Sequence, residues 1–237
     1  MKLYTLCIVL LIIVLTAGCG RSEPTQTSVD NRVPPTLVPS PTPIPTATRT
    51  PVPTATPAPA ILDIDPTIIA LTFEDIPPGF AIDREINNYT SPEYEPQNIK
   101  PEALRGLKRG YGVTFLKEAG LQDLFSILAI ANINFIYESE EAAQKALELI
   151  PYVLPDAELK RVSAPRLGDQ SIAYIMRDSS PDDSGDTTEL VAYTVVFRIK
   201  NILVIVVGGG MAGAGSIDQV AEWAATVEQR IQQIASP

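Results

Sequence analysis

Residues 190–199 read Leu-Val-Ala-Tyr-Thr-Val-Val-Phe-Arg-Ile, residues 200–201 Lys-Asn, and residues 202–216 Ile-Leu-Val-Ile-Val-Val-Gly-Gly-Gly-Met-Ala-Gly-Ala-Gly-Ser. Leu190 to Ile199 is rich in β-branched and aromatic residues, which fit a pleated, half-buried surface, so it predicts a strand. Lys200-Asn201 is short enough for a two-residue hairpin turn. Ile202 to Val207 is apolar without a break, which predicts a second strand covered on both faces. Beyond the glycines, Ser216 suits a helix N-cap, and Asp218 suits the first turn, where a carboxylate meets the positive end of the helix dipole. Ile217, Val220, Ala221, Ala224, Val227, Ile231 and Ile234 then recur at helical spacing and form one apolar stripe. The stretch spells strand, turn, strand, glycine loop, helix.

The same order occurs earlier in the chain. Tyr111 to Lys117 predicts a strand, Glu118-Ala119-Gly120 a turn, and Leu124 to Tyr137 a longer strand. The period of two puts Phe125, Ile127, Ala129, Ala131, Ile133, Phe135 and Tyr137 on one face of it. Ser139 caps a helix with Glu140 and Glu141 in its first turn, and Pro151 stops that helix after Ile150. Two antiparallel strand-turn-strand-helix units imply an α+β fold, an antiparallel sheet with helices packed on it as an α/β sandwich. Further strands are expected at Phe80 to Ile86, after the turn signal Pro77-Pro78-Gly79, at Ala157 to Val162 and at Ser171 to Arg177. Pro101 opens a short helix to Lys108 that Gly110 ends, and Asp178 to Thr188 reads as a hydrophilic hairpin loop. Residues 61–237 form a single globular domain in this reading, long enough for one well-buried core.

Charge and residue inventory narrow the chemistry. Of 18 Lys+Arg and 28 Asp+Glu, only Lys2, Arg21, Arg32 and Arg49, and Glu23 and Asp30, precede Ile61, so the domain carries 14 cations, 26 anions and a net −12. Such a surface repels phosphate backbones, which argues against a nucleic-acid partner. There is no histidine in the chain, which removes Ser-His-Asp and Cys-His catalysis and the commonest zinc ligand sets. Both cysteines, Cys7 and Cys19, lie before the domain.

The first sixty residues have a different character. Lys2, the apolar run Leu3 to Leu15 and the small residues Ala17-Gly18 before Cys19 follow the layout of an export signal: charged start, short apolar middle, small-residue processing site. The run is shorter than the roughly 20 residues needed to span a bilayer core. Leu15-Thr16-Ala17-Gly18-Cys19 resembles the lipobox of bacterial lipoproteins. That resemblance implies a signal peptide over 1–18, an acyl anchor of the palmitate type on Cys19, and an extracytoplasmic domain tethered to the cell membrane. From Gly20 to Ala60 the chain is Pro, Thr, Ser, Ala and Val, as in Pro39-Ser40-Pro41-Thr42-Pro43-Ile44-Pro45-Thr46. Prolines at this density forbid helix and sheet and favour extended polyproline II, so 19–60 is expected to be a lipidated cysteine followed by a disordered Pro/Thr-rich stalk.

Three groups of residues invite a functional reading. Gly208, Gly210 and Gly213 satisfy G-x-G-x-x-G between a strand and a helix, and Gly215 and Ser216 extend them to a helix start whose amides suit a small anion. A dinucleotide site also needs a second parallel strand with an acidic residue, and here the chain ends one helix later. The structural alternative is a sharp passage from a central strand into its packing helix. Asp182, Asp183 and Asp186, with Asp178, crowd one loop as calcium ligands do, but at no EF-hand spacing; a solvated hairpin tip is the alternative. Asp169 and Ser171 are the clustered pair that a carboxylate or serine hydrolase would use. No cofactor is implied.

Leu167-Gly168-Asp169-Gln170-Ser171, then Phe197-Arg198-Ile199-Lys200-Asn201-Ile202-Leu203-Val204, a glycine loop and a terminal amphipathic helix resemble sensor-type extracytoplasmic domains of bacterial lipoproteins and receptor kinases. These are similar to the broader PsbP-like α/β/α sandwich. The resemblance spans roughly residues 70–235 and implies a non-catalytic binding or assembly role, with an envelope protein or small ligand as partner. An envelope hydrolase is the alternative function.

Overall fold

Seven strands build one antiparallel sheet in the computed structural model, whose described residues are 61–89, 101–118, 120, 126–149, 158–181 and 187–235. The signal peptide, Cys19, the stalk and Asp182, Asp183 and Asp186 lie outside them. The strands are β1 (Phe80–Ile86), β2 (Leu107–Lys117), β3 (Ile127–Tyr137), β4 (Glu158–Val162), β5 (Gln170–Pro181), β6 (Thr187–Ile199) and β7 (Ile202–Met211). Helix α1 (Glu140–Leu149) follows β3, and α2 (Ile217–Ala235) follows β7. Across the sheet the order is β1-β2-β3-β7-β6-β5-β4. The two expected strand-turn-strand-helix units are therefore β2-β3-α1 and β6-β7-α2, joined where β3 pairs with β7.

Each unit sends its helix to a different face. Phe135, Tyr137, Leu203, Val196, Ile172 and Tyr174 pack with Ala143, Ala146 and Leu147 of α1. Ile130, Ile136, Val204, Val206, Val195 and Phe197 pack on the other face with Val220, Trp223, Ala224, Val227 and Ile231 of α2. Alternation along β3, β6 and β7 makes this possible, because neighbours in a strand point to opposite sides. Both expected caps form: Ser139 Oγ accepts from the Ala142 amide at 3.1 Å and Ser216 Oγ from the Gln219 amide at 3.2 Å.

Helix α2 packs against β6 and β7. The β2-β3 part of the same face is filled by an irregular strap, residues 62–76, which buries Ile64, Ile69, Ala70, Leu71 and Ile76 in the same cluster. The strap crosses the sheet without joining it; Pro66 denies it a donor of a regular strand, and Pro77-Pro78 follow directly after it.

Four local expectations are corrected. The glycine stretch does not leave the sheet at Val207: β7 runs on through Gly208, Gly209 and Gly210 to Met211, with Gly210 opposite Ile127 and Val191. Pro101–Leu104 is a single 3-10 turn rather than a helix to Lys108, and Gly110 lies inside β2. The β5-β6 hairpin is longer than expected, since β5 continues to Pro181 and β6 begins at Thr187. Within β3 the register shifts between Ile127 and Ala129, so Ile127 packs under α2 while Ile133, Phe135 and Tyr137 face α1. A bulge reverses the alternation beyond it, which a pure period of two does not anticipate.

Candidate functional site

The two sequence fragments that carry the family resemblance meet at one end of the sheet. Lys200, in the β6-β7 turn, has a φ of 51°, a left-handed conformation that L-residues adopt only when their surroundings hold it. Its amide donates to Asp169 Oδ2 at 2.6 Å, and its carbonyl accepts from Arg198 Nη1 at 2.7 Å. Arg198 also lies 3.2 Å from Asp169 Oδ2, and its side chain is only 13% exposed. The Asp169 amide donates to the Arg198 carbonyl at 2.8 Å, and the Gly168 amide to Glu228 Oε1 of α2 at 2.7 Å. Residues 167–171 thus form a cradle that fastens a strained turn to the side of α2.

This geometry decides what Asp169 and Ser171 are doing. The Asp169 carboxylate binds the turn backbone and a guanidinium, while Ser171 Oγ donates to the Pro165 carbonyl. Their hydrogen bonds run to different backbone groups, which gives neither the geometry of a nucleophile beside its base.

The glycines are likewise engaged by neighbours. A Cβ on Gly208 would stand 2.8 Å from Val220 Cγ2, 3.0 Å from Ile127 Cδ1 and 3.1 Å from Trp223. One on Gly210 would stand 2.7 Å from the Ser126 carbonyl and 2.8 Å from Ala214 Cβ. Absent side chains here let α2 and its lead-in lie directly on β7. The turn proper is made later by Gly213 and Gly215, at φ 86° and 66°. Only Gly213, Gly215 and Ser216 of the five residues stand outside the strand, and Ser216 Oγ already caps its own helix.

Three wholly buried asparagines escape a reading of periodicity. Asn201 Oδ1 accepts from the Leu62 amide at 2.8 Å, and its Nδ2 donates to the Leu62 and Tyr137 carbonyls at 2.9 and 2.8 Å. Asn132 Oδ1 accepts from the Leu71 amide at 3.0 Å, and Asn134 Nδ2 donates to the Pro66 carbonyl at 3.1 Å. Arg230 of α2 completes the set: its Nη2 donates to both Asp75 carboxylate oxygens at 2.7 and 2.8 Å, and its Nη1 to the Ala70 carbonyl. The signal for two of them was the Asn-x-Asn pair set between Ile130 and Ile136 on the second face of β3.

Beside the strap, Asp65–Thr67, Asn87, Asn88 and Lys108–Gly110 bound an open, polar cleft of about 360 Å³. Arg109 in its wall is paired with Asp63. Nearby Tyr111 donates to Glu85 at 2.8 Å, and burial, reinforced by that carboxylate, pushes its pKa up to about 12. Burial raises Tyr137 too, whose hydroxyl donates to the Ala103 carbonyl at 2.7 Å. Among the described residues no group of three or more acidic or cysteine side chains is placed to hold a metal. None of the described helices is long and apolar enough to cross a membrane.

Neither a family model nor a curated protein matches the chain. Among solved structures it is similar to the extracellular domain of PknH from Mycobacterium tuberculosis, at 8% identity and a TM-score of 0.50. The match covers 70% of this chain and 94% of that domain. The likeness is one of fold.

Proposed function

We propose that the chain is a cell-envelope lipoprotein whose Cys19 carries the membrane anchor and whose domain from Ile61 onward is a non-catalytic, extracytoplasmic binding or assembly module. The observation that carries the reading is the fold shared with nearly the whole of an extracellular domain. The order of charged start, apolar run, small residues and Cys19, followed by a proline-rich stalk, supports the tether. The structural engagement of Asp169 and Ser171 favours a binding module over a hydrolase.

Two measurements test this. Cys19→Ser should move the protein out of the detergent phase or leave its precursor uncleaved, and unchanged partition would sink the anchor. A serine-directed fluorophosphonate should leave the domain unlabelled; labelling at Ser171 would promote the hydrolase reading.

A further inference from the structure

The strap differs from the rest of the domain in how it is held. Strands are joined by backbone ladders, from Phe80↔Lys117 at one edge to Val162↔Ala173 at the other. Among the described residues, every hydrogen bond between the strap and the rest of the domain instead uses a side chain: Arg109, Asn132, Asn134, Asn201 or Arg230. The strap also satisfies much of its own backbone. Asp65 Oδ1 accepts from the Thr67 amide and hydroxyl, both at 2.9 Å, and Asp75 Oδ2 accepts from the Thr72 amide at 2.6 Å and hydroxyl at 2.9 Å. Those turns need nothing from the sheet.

The surface beneath it is polar at its centre. Asn132 and Asn134 sit in the row Ile130, Asn132, Asn134, Ile136, and they bond each other at 3.0 and 3.1 Å. Water can replace the strap on those amides, so uncovering them costs less than uncovering an apolar row. The attachments are spread along the strap: Leu62 on Asn201, Asp63 on Arg109, Pro66 on Asn134, Leu71 on Asn132, and Ala70 and Asp75 both on Arg230. A pull entering at Ile61 loads them one at a time.

We propose that residues 62–76 are a tension-released latch: force arriving through the stalk peels the strap off, clamp by clamp, before the sheet or either helix yields. The source of that force rests on the tether reading, but the latch itself does not. Peeling ends at Pro77-Pro78-Gly79, where β1 is fixed to β2 by its ladder. It lengthens the tether by up to about 50 Å of extended chain, less the distance the folded strap already spans, and bares the polar row and its apolar flanks.

The test is single-molecule stretching of the unacylated mature chain, held by the Cys19 thiol and the carboxyl end, so the outcome is independent of lipidation. We expect two events, a weaker one that adds up to about 50 Å less the folded span of the strap, and a stronger one in which the sheet opens. Asn201→Ala should lower the force of the first event by more than that of the second, which loses only the Asn201–Tyr137 bond. Should that variant fail to fold, Arg230→Gln, on the part-exposed helix surface, should do the same. A single event that opens strap and sheet together overturns the latch, as does a first event whose force neither variant lowers.

Discussion

Gly110 and Gly112 in β2, and Gly208 and Gly210 in β7, are the same spacing in one strand of each unit, and they do different things. In β2 a Cβ on Gly112 would collide with the Tyr89 hydroxyl, and one on Gly110 would stand 2.9 Å from Phe135. Here the missing side chains admit one aromatic side chain against the sheet, edge-on to Phe135 at 5.0 Å. In β7 they admit a helix. The difference teaches that a glycine in a strand is defined by what approaches it, and spacing alone does not reveal whether that is a ring, a helix or a ligand.

The largest expected effect comes from the approach with least room to yield, a packed helix rather than a single side chain. Gly208→Ala should destabilise the domain by about 1–3 kcal/mol through overpacking under Val220 and Trp223. The adjacent Gly209 faces the other way, with 3.6 Å to its nearest neighbour, so Gly209→Ala should stay within about 0.5 kcal/mol. Equal losses in urea melts would erase the distinction.

A second experiment isolates the β2 pair. Gly112→Ala alone should destabilise by displacing Tyr89, whereas in Tyr89→Phe the colliding oxygen is gone. The double variant should therefore be more stable than the sum of the singles by about 1 kcal/mol. Strict additivity would mean that Tyr89 moves aside at no cost.

Tyr111 lies between those two glycines and points to the opposite face, and its effect appears only at alkaline pH. The native state holds the neutral phenol, with a pKa raised above the unfolded value of about 10 to about 12. Its contribution is fully present below pH 10 and is lost as pH rises through 12. Tyr111→Phe should flatten the stability profile across that window. An identical alkaline decline in the variant would assign the loss to other groups, Tyr137 first among them.

The smallest expected effect is zero. Millimolar NAD or ATP should leave the melting temperature of the domain unchanged, since Gly208 and Gly210 lie against Val220, Trp223 and Ala214. A bound nucleotide at a hundred times its Kd would add about 2.7 kcal/mol, so a clear rise would make the glycines a site.

What was legible in the sequence was local. Caps at Ser139 and Ser216, the period of α2 and the Lys200-Asn201 turn each depend on a few adjacent residues, and each formed where expected. What was not legible depends on a distant partner. Gly208 reads as the start of a loop unless Trp223 is known to lie on it, and Gly110 reads as a helix stop unless Phe135 is known to be opposite. Asn132 and Asn134 look like solvent-facing residues until a strap from sixty-odd positions earlier covers them. Of the candidate sites, Asp169, Ser171 and the glycines can be placed, while Cys19 and the Asp182, Asp183, Asp186 loop lie outside the described residues.

The strand order has a kinetic consequence. Every neighbouring pair in the sheet is consecutive in the chain except β3 and β7. β1-β2-β3 and β4-β5-β6-β7 are thus two meanders that can each form through short-range closure, and a single long-range seam, Ile136↔Ile202 to Ile127↔Gly210, joins them. Closing that seam carries most of the loop entropy of the topology. We expect it to be the late step of folding. Substitutions along it should then slow refolding less than those inside either meander, and a chevron series across the two classes would show the opposite if the seam is instead the nucleus.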